Sequence, residues 1–185
     1  MSSNVRKQLE NWLKTIDVNG TVLDVGGVVM PVKGRTKSWN VTDYKILDSS
    51  TEKRRVKTDY LEDINYEIIE DYPQFDVIFC LEVMEYVWNP AMALNNISKL
   101  LKPNGLLYIS FHFLFPHHHP VIRDYLRYTI SGINMLLKKT GFKMEEVVPR
   151  TTRVPDTLRE FCQAESKVYK YPSEIGYLIK AKKYG

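Results

Sequence analysis

Two continuous apolar runs, FDVIFCL at 75–81 and GLLYISF at 105–111, constrain the fold of this chain most strongly. A strand with one solvated face alternates apolar and polar residues, whereas an unbroken apolar run is typical of a strand covered on both faces. Between the runs lies NPAMALNNISKLLKPNG, which predicts a helix with Pro90 near its start and Pro103-Asn104-Gly105 after its end. The order strand, helix, strand favours a parallel sheet.

The same alternation continues along the chain, and it predicts an open, doubly wound α/β sheet. The gap from Asp48 to Val56 is too short for a crossover that contains a helix, so the first half of the fold is predicted to have trimmed helices. Asn19-Gly20 is expected to separate the first helix from the first strand. The remaining predicted helices lie over Val5–Ile16 and Thr129–Gly141 and near Asp156–Ser166, and the remaining strands over Thr21–Val25, Tyr44–Leu47, about Val56–Tyr60, Phe142–Pro149 and Ile175–Lys183.

In a doubly wound sheet, ligands bind outside the carboxyl ends of the strands, where the strand order reverses. The first predicted strand runs into VLDVGG, which ends in Gly26 and Gly27. Glycine can adopt backbone angles that residues with a side chain avoid, and it lets the chain approach a ligand closely. Asp48 ends the next strand about 20 residues later, where a carboxylate can accept both hydroxyls of a ribose. A Gly-Gly pair is also common in simple turns, and aspartate is a common turn residue. In this order, the residues together favour a bound adenosine.

The residues after the glycine pair exclude two other kinds of cofactor site. A dinucleotide fingerprint needs three glycines around a pyrophosphate and opens a helix, but VVMP follows here at 28–31. A phosphate-binding loop would end in Gly-Lys-Ser or Gly-Lys-Thr, and this stretch has no such ending.

The segments VLDVGG, YKILD, YLEDIN and FDVIFCLEVMEYVWNPAMALNNISKLLKPNGLLYIS resemble the successive motifs of class I S-adenosylmethionine-dependent methyltransferases. The resemblance covers about residues 20–182, and the block at 75–110 is its most specific part. It implies a Rossmann-like methyltransferase fold, which is a mostly parallel, seven-stranded sheet whose last strand is antiparallel. It also implies S-adenosylmethionine as cofactor, with S-adenosylhomocysteine as product.

The resemblance implies roles for individual residues as well. Glu82 and Glu85 match family positions without an implied catalytic role. The implied cofactor contacts are Asp24, Gly26 and Gly27 at the methionine end, Asp48 on the ribose, Asp63 and the backbone of Ile64 at the adenine, and Cys80 and Leu81 beneath the sulfonium.

The glycine turn departs from the family pattern, because Val28 and Met30 occupy the later glycine positions. Pro31 argues against a long helix directly after the turn, so the helix N-terminus that would face the cofactor's carboxylate is expected to be missing or displaced. Lys33 or Arg35 could supply the positive charge instead, since arginine binds a carboxylate bidentately. Both are also compatible with solvated loop charges.

The acceptor side is predicted to lie in FHFLFPHHHPVIRDYLRYT, at 111–129, which follows the fifth strand. A histidine near a hydroxyl can act as general base because its pKa lies near the operating pH. The segment is similar to a loop of methyltransferases that act on small metabolites, sugars or polyketide-like acceptors. The candidate bases are His112, His117, His118 and His119.

Two other interpretations apply to this loop. Consecutive histidines point in different directions and no obvious carboxylate completes a ligand set, so no metal site is predicted. Asp124 and Arg127, three residues apart on a predicted short helix, are equally compatible with a structural ion pair.

Composition limits the remaining classes. A chain of 185 residues with 44% hydrophobic content suits one domain over 1–185, with the N-terminal helix in 1–18 and the sheet and other helices in 19–185. A net charge of +4 without a recognition motif does not indicate nucleic-acid binding. The lack of a secretion signal or a long apolar stretch predicts a cytoplasmic protein without membrane insertion, and Cys80 and Cys162, which have no disulfide or zinc spacing, are expected to be reduced.

Two functions follow from these patterns. The first is methylation of an oxygen on a small polar acceptor, such as a saccharide or metabolite. Oxygen is favoured because CLEVMEY follows the fourth strand where nitrogen methyltransferases often have Asn or Asp before a proline-aromatic sequence. The alternative is a non-catalytic, methyltransferase-like module that binds S-adenosylmethionine or a nucleoside.

Overall fold

The computed structural model describes residues 4–49, 56–117, 123–152 and 174–185. The predicted helix near Asp156–Ser166, together with Cys162, lies outside these residues. The helices are α1 (Asn4–Leu13), α2 (Pro90–Leu100) and α3 (Ile130–Lys139), and a short 3-10 turn spans Met84–Tyr86. The strands are β1 (Asp17–Val25), β2 (Ser38–Asp48), β3 (Tyr60–Leu61), β4 (Phe75–Cys80), β5 (Leu101–His112), β6 (Phe142–Thr151) and β7 (Glu174–Lys183).

The seven strands form one sheet in the order β3-β2-β1-β4-β5-β7-β6. The pairs from β3 to β5 are parallel, and β7 runs antiparallel to both β5 and β6. The predicted seven-stranded, mostly parallel sheet with an antiparallel last strand is therefore confirmed. The strand order reverses between β1 and β4, so the carboxyl ends of these two strands mark the expected ligand edge.

Apolar residues pack on both faces of the sheet, as the continuous runs predict. Neighbouring strand residues point to opposite faces, and Val22 and Leu23 accordingly belong to different core clusters. One face is covered by α2 and α3, and the other by α1. Both layers are therefore needed to bury the sheet.

Four predicted boundaries are wrong. The strand predicted at Tyr44–Leu47 begins already at Ser38. Asn19-Gly20 lies inside β1 instead of before it, since Gly20 (φ +88°) sits at an irregularity in the β1–β2 ladder that interrupts the pattern without ending the strand. The strand predicted at Val56–Tyr60 is only Tyr60–Leu61. The segment predicted to separate α2 from the next strand, Pro103-Asn104-Gly105, lies within β5, where Asn104 adopts a left-handed backbone (φ +62°).

The trimmed first half is confirmed, because the described residues between β1 and β4 contain no helix. Residues 26–37 form a loop instead, in which Val28 and Val32 are buried. Val32 joins the core cluster of α1 beside Trp12 and Leu13. The loop thus fills part of the layer that a crossover helix would otherwise occupy.

Asn96 of α2 orders the chain between β3 and β4. Its buried Nδ2 donates to the carbonyls of Ile64 (3.1 Å) and Tyr66 (2.7 Å), and its Oδ1 accepts from the N–H of Ile68 (3.2 Å). One side chain therefore satisfies three backbone groups of a segment without regular structure.

We expect Asn96→Ala to lower the free energy of unfolding by at least about 2 kcal/mol, because buried backbone groups would lose their partners. Asn95→Ala is the matched control, since Asn95 is the preceding residue of the same helix and is exposed. It should change stability by no more than about 0.5 kcal/mol. Urea unfolding measures both, and equal effects would contradict this role of Asn96.

Candidate functional site

The glycine turn closes the carboxyl end of β1. Gly26 has a left-handed backbone (φ +77°), and its N–H donates to the carbonyl of Leu47 (2.8 Å). A Cβ on Gly26 would lie 2.4 Å from Cγ2 of Val83, and one on Gly27 would lie 2.4 Å from the carboxyl carbon of Asp24. Both glycines are therefore required by packing within the protein.

Asp24 holds the loop that follows this turn. It is buried, and its Oδ2 accepts from the N–H of Val32 (2.7 Å) and the hydroxyl of Tyr44 (2.6 Å). Burial raises the pKa of Asp24 to about 6, although these hydrogen bonds oppose the shift. This carboxyl group thus joins β1, β2 and the loop.

The predicted ribose and adenine contacts lie on adjacent strand ends. Asp48 ends β2, where it pairs with Leu61 of β3, and it is partly exposed. Asp63 and Ile64 follow β3 after one intervening residue, and Asp63 accepts hydrogen bonds from the backbone and side-chain amides of Asn65 (both 2.9 Å). Asp48 therefore lies at a strand end next to an ordered turn, which is the arrangement that the sequence predicts for an adenosine site.

The residues predicted beneath the sulfonium end β4. Cys80 is fully buried, and burial raises the pKa of its thiol, so the thiol is neutral. Leu81 is partly buried against the core cluster of α1. Cys80 and Leu81 therefore pack against the core clusters on opposite faces of the sheet.

The methionine end lacks the usual helix, and its predicted cation is already paired. Arg35 donates from Nη2 and Nε to the two carboxylate oxygens of Glu10 (2.7 and 3.2 Å) and from Nη1 to the carbonyl of Met30 (2.9 Å). Lys33 is exposed. The residues predicted for the adenosine part therefore lie on neighbouring strand ends, whereas a loop without a helix follows β1 in the region expected to face the cofactor's carboxylate.

The structure separates the candidate histidines. His112 is buried at the end of β5, whereas the side chain of His117 is 73% exposed, with its Nδ1 3.6 Å from Oδ2 of Asp124. His118 and His119 lie outside the described residues. Among the residues that the structure describes, no three His, Cys, Asp or Glu side chains are grouped to hold a metal ion.

The ion pair between Asp124 and Arg127 is confirmed. Nη1 and Nη2 of Arg127 donate to the two carboxylate oxygens of Asp124 (2.5 and 2.7 Å). The short helix predicted for the pair is wrong, because residues 124–129 have no regular structure. The two side chains therefore meet in a bidentate ion pair without a helix that places them on one face.

An interior polar cluster, not found from the sequence, lies beside the ligand edge and consists of Glu82, Glu85, Ser110, His112 and Arg150. Nη1 and Nη2 of buried Arg150 donate to Oε1 (2.6 Å) and Oε2 (3.1 Å) of Glu82. The Oγ of Ser110 donates to Oε1 of Glu82 (2.8 Å), and Nε2 of His112 lies 3.2 Å from Oε2. The residues of this cluster come from separate segments of the chain that meet only on folding. Arg150, for example, is 68 residues from Glu82 in the sequence.

Glu82 is the one member of this cluster that reaches the surface. Its side chain is 35% exposed, whereas those of His112 and Arg150 are 0% and 1% exposed. Glu82 has a left-handed backbone (φ +57°), and its N–H donates to the Oγ of Ser110 (2.7 Å). Although burial opposes it, the hydrogen bond with His112 and the charge of Arg150 hold the pKa of Glu82 well below its usual range. Glu82 is therefore an ionised, oriented carboxylate next to Leu81.

Glu85 lies deeper in the same cluster. It is fully buried, and neither of its carboxyl oxygens has a hydrogen-bond partner among the described residues. Its Oε1 lies 3.8 Å from Nδ1 of His112. Burial raises the pKa of Glu85 to about 7, against the opposing effect of His112.

The chain's sequence matches a known protein family. A model of the methyltransferase domain matches residues 1–147. The chain therefore belongs to the methyltransferase-domain family, which confirms the S-adenosylmethionine-dependent class predicted from its motifs.

Individual relatives agree with this family. The chain is 34% identical over 98 residues to the ubiquinone biosynthesis O-methyltransferase of Rickettsia akari, and the match covers 48% of the chain and 39% of that protein. The chain thus spans about two fifths of the length of this curated relative.

Solved structures with low sequence identity share the fold. A candidate methyltransferase in complex with the Trm112 methyltransferase activator of Haloferax volcanii has a TM-score of 0.68 at 16% identity, covering 98% of this chain and 90% of that one. An S-adenosylmethionine-dependent methyltransferase from Mesorhizobium loti has a TM-score of 0.62 at 13% identity, covering 97% and 98%. Within the described ranges, no helix has the length and apolar character needed to cross a membrane.

The buried Glu85 predicts a pH-dependent stability. Its pKa is about 7 in the folded protein and near 4.5 in the unfolded chain, a difference that corresponds to about 3 kcal/mol. The neutral carboxyl stabilises the fold fully below pH 4.5, and this contribution is lost as the pH rises to about 7.

We therefore expect the wild type to lose about 3 kcal/mol relative to Glu85→Gln between about pH 4.5 and pH 7.5. Chemical denaturation of both proteins across this range measures the difference, in which the contribution of Asp24 cancels. If the stability difference between the two proteins does not change with pH, Glu85 has the same pKa in the folded and the unfolded protein.

Proposed function

We propose that this protein is an S-adenosylmethionine-dependent methyltransferase that acts on an oxygen of a small polar acceptor. The observation that carries this proposal is the position of Asp48, a partly exposed residue at the carboxyl end of β2, next to the switch point of a methyltransferase-type sheet. Family membership supports the reaction type.

The cofactor contacts are proposed from the strand ends. Asp48 accepts the ribose hydroxyls, and Asp63 with the backbone of Ile64 meets the adenine. Asp24, Gly26, Gly27 and Arg35 shape the methionine end, and Cys80 and Leu81 lie beneath the sulfonium. When bound, S-adenosylmethionine supplies an activated methyl group, so the protein has to align the acceptor and remove one proton.

Two observations support an oxygen acceptor. The Rickettsia akari relative is named as an O-methyltransferase. In addition, the ionised Glu82 directly follows Leu81 at the ligand edge, where a carboxylate can accept a hydrogen bond from a hydroxyl group. The acceptor is a small polar molecule such as a saccharide or metabolite, and the base is one of His112, His117, His118 and His119.

A specific observation favours the non-catalytic alternative as well. The loop at 26–37 is fixed by Asp24 within the protein, and Arg35 is held by Glu10. A closed methionine end would allow a nucleoside to bind without productive placement of a methyl group. Such a module would bind adenosine as tightly as the full cofactor.

Transfer of labelled methyl from S-adenosylmethionine to a panel of hydroxyl, amine and carbon acceptors tests the reaction. Label in a hydroxyl acceptor supports the proposal, and label only in an amine or carbon acceptor contradicts the oxygen assignment. Binding of S-adenosylhomocysteine with no stronger affinity than adenosine would favour the non-catalytic module.

Asp48→Ala should weaken S-adenosylhomocysteine binding by about tenfold or more, because a hydrogen bond to a charged group is worth about 1.5–3 kcal/mol. Isothermal titration calorimetry measures the affinity. Asp43→Ala is the matched control, since Asp43 lies on the same strand with a half-exposed side chain near Lys45. Unchanged affinity in Asp48→Ala would remove Asp48 from the site.

If Arg35 recognises the cofactor's carboxylate, Arg35→Ala should weaken S-adenosylhomocysteine binding more than adenosine binding, with an effect that shrinks as salt rises. Lys33→Ala tests the second candidate in the same way. Glu10→Gln serves as control, because it removes the negative charge beside Arg35 and keeps the guanidinium. An equal loss for both ligands would contradict carboxylate recognition.

A further inference from the structure

The loop after β5 is fastened by the guanidinium of Arg127. Its Nε and Nη2 donate to the carbonyls of Phe115 (3.3 Å) and Pro116 (3.2 Å), and its Nη1 donates to the carbonyl of Leu126 (3.0 Å). The two remaining N–H groups donate to the carboxylate of Asp124. All five donors of the guanidinium are therefore used within the loop, so Arg127 fixes its shape and has no donor left for an acceptor molecule.

The same loop is tied to the ligand edge of the sheet. The N–H of Tyr125 donates to the carbonyl of Glu85 (2.8 Å), and the hydroxyl of Tyr128 donates to the carbonyl of Met84 (2.9 Å). The N–H of Tyr128 donates to the carbonyl of His112 at the end of β5 (2.8 Å). These hydrogen bonds hold the loop against the turn after β4 and the carboxyl end of β5, where an acceptor would meet the cofactor.

Asp124 and His117 face each other within this fastened loop. The side chain of Asp124 is fully buried, and its Oδ2 lies 3.6 Å from Nδ1 of His117, whose side chain is mostly exposed. This distance is that of an ion pair and is longer than a hydrogen bond. A carboxylate nearest to Nδ1 favours a proton on that nitrogen, which leaves Nε2 of the exposed ring as the proton acceptor.

His112 is unable to accept a proton from a bound acceptor. Its ring is fully buried, and its Nε2 lies 3.2 Å from Oε2 of Glu82, a carboxylate that can only accept a hydrogen bond. Nε2 of His112 therefore already carries a proton. Of the two histidines that the structure describes, His117 is thus the one that can act as a base.

We propose that Asp124, held by Arg127, orients His117 as the general base that takes the proton of the acceptor hydroxyl. This inference rests on the proposed function and selects one of its candidate bases. Asp124 is a positioning residue, because it acts through the imidazole ring without touching the acceptor.

The proton and the electron pairs balance in this step. The acceptor's O–H bond breaks, and its proton passes to Nε2 of His117. The acceptor oxygen uses the electron pair that it keeps to form a bond to the methyl carbon, while the methyl–sulfur bond breaks and leaves its electron pair on the sulfur. His117 becomes an imidazolium beside the carboxylate of Asp124, and it returns to the neutral ring by releasing the proton to water.

The first experiment observes the ring without turnover. In protein labelled with nitrogen-15 in histidine, the ring resonances of His117 are assigned with His117→Asn and recorded where the ring is neutral. His117 should carry its proton on Nδ1, whereas free histidine prefers the Nε2 form, and Asp124→Asn should shift His117 toward that form. A wild-type ring protonated on Nε2 would overturn the proposal, and the wild-type spectrum decides this even if Asp124→Asn disturbs the loop.

The second experiment uses a hydroxyl acceptor found by the labelling panel. His117→Asn should lower kcat about 10²–10⁴-fold with unchanged affinity for S-adenosylhomocysteine. Because the side chain of His117 is mostly exposed, this substitution should leave the fold intact. Asp124→Asn should lower kcat by about tenfold or more, with little change in KM for the acceptor. Arg123→Gln is the matched control at the exposed preceding residue, and it should behave as wild type.

A His117→Asn protein that keeps the wild-type kcat would contradict the proposal, as would an Asp124→Asn protein that loses acceptor affinity with kcat unchanged. Failure of the proposed function has a different signature, because the wild type would then transfer no methyl group to any hydroxyl in the panel. The tautomer of His117 would in that case still show whether Asp124 orients the ring.

Discussion

The ion pair between Glu82 and Arg150 is the constraint on which the ligand edge depends. It joins the end of β4 to β6 across β5 and β7, and Arg150 also donates to the carbonyl of Val5 in α1 (3.3 Å). Arg150 is 1% exposed, so removing its partner Glu82 would leave a buried guanidinium without its counter-charge and would destabilise the fold. The pair therefore joins the two strand ends and helps to keep Glu82 ionised.

The opposite side of the ligand edge is organised by a second carboxyl group. Asp24 accepts from the backbone of Val32 and from Tyr44, and it thereby holds a loop where a crossover helix is expected. The two acids differ in their surroundings. Glu82 has a full positive charge beside it and stays ionised, whereas Asp24 has mainly neutral donors, and burial raises its pKa to about 6.

The sheet could be predicted from the sequence because burial on both faces leaves unbroken apolar runs at 75–81 and 105–111. The ends of α3 could also be predicted from the sequence. Thr129 caps its start by accepting from the N–H of Gly132, and Gly141, with φ +87°, lies just after its end. Predictions failed where a local signal had a tertiary cause. Asn19-Gly20 predicts the boundary before the first strand, but Gly20 lies within β1 at an irregularity beside Asp76.

By itself, the sequence determined the fold class, the missing helices of the first half and the position of Asp48 at a strand end, because these depend on periodicity, spacing and turn residues along one stretch of chain. Only the tertiary structure decided that Arg35 binds Glu10, that His112 is buried, and that Arg150 meets Glu82. Charges act through space over a few ångströms in a medium of low polarity. Which charged groups become partners therefore depends on which strands are neighbours in the sheet. The separation of two residues along the sequence does not show this.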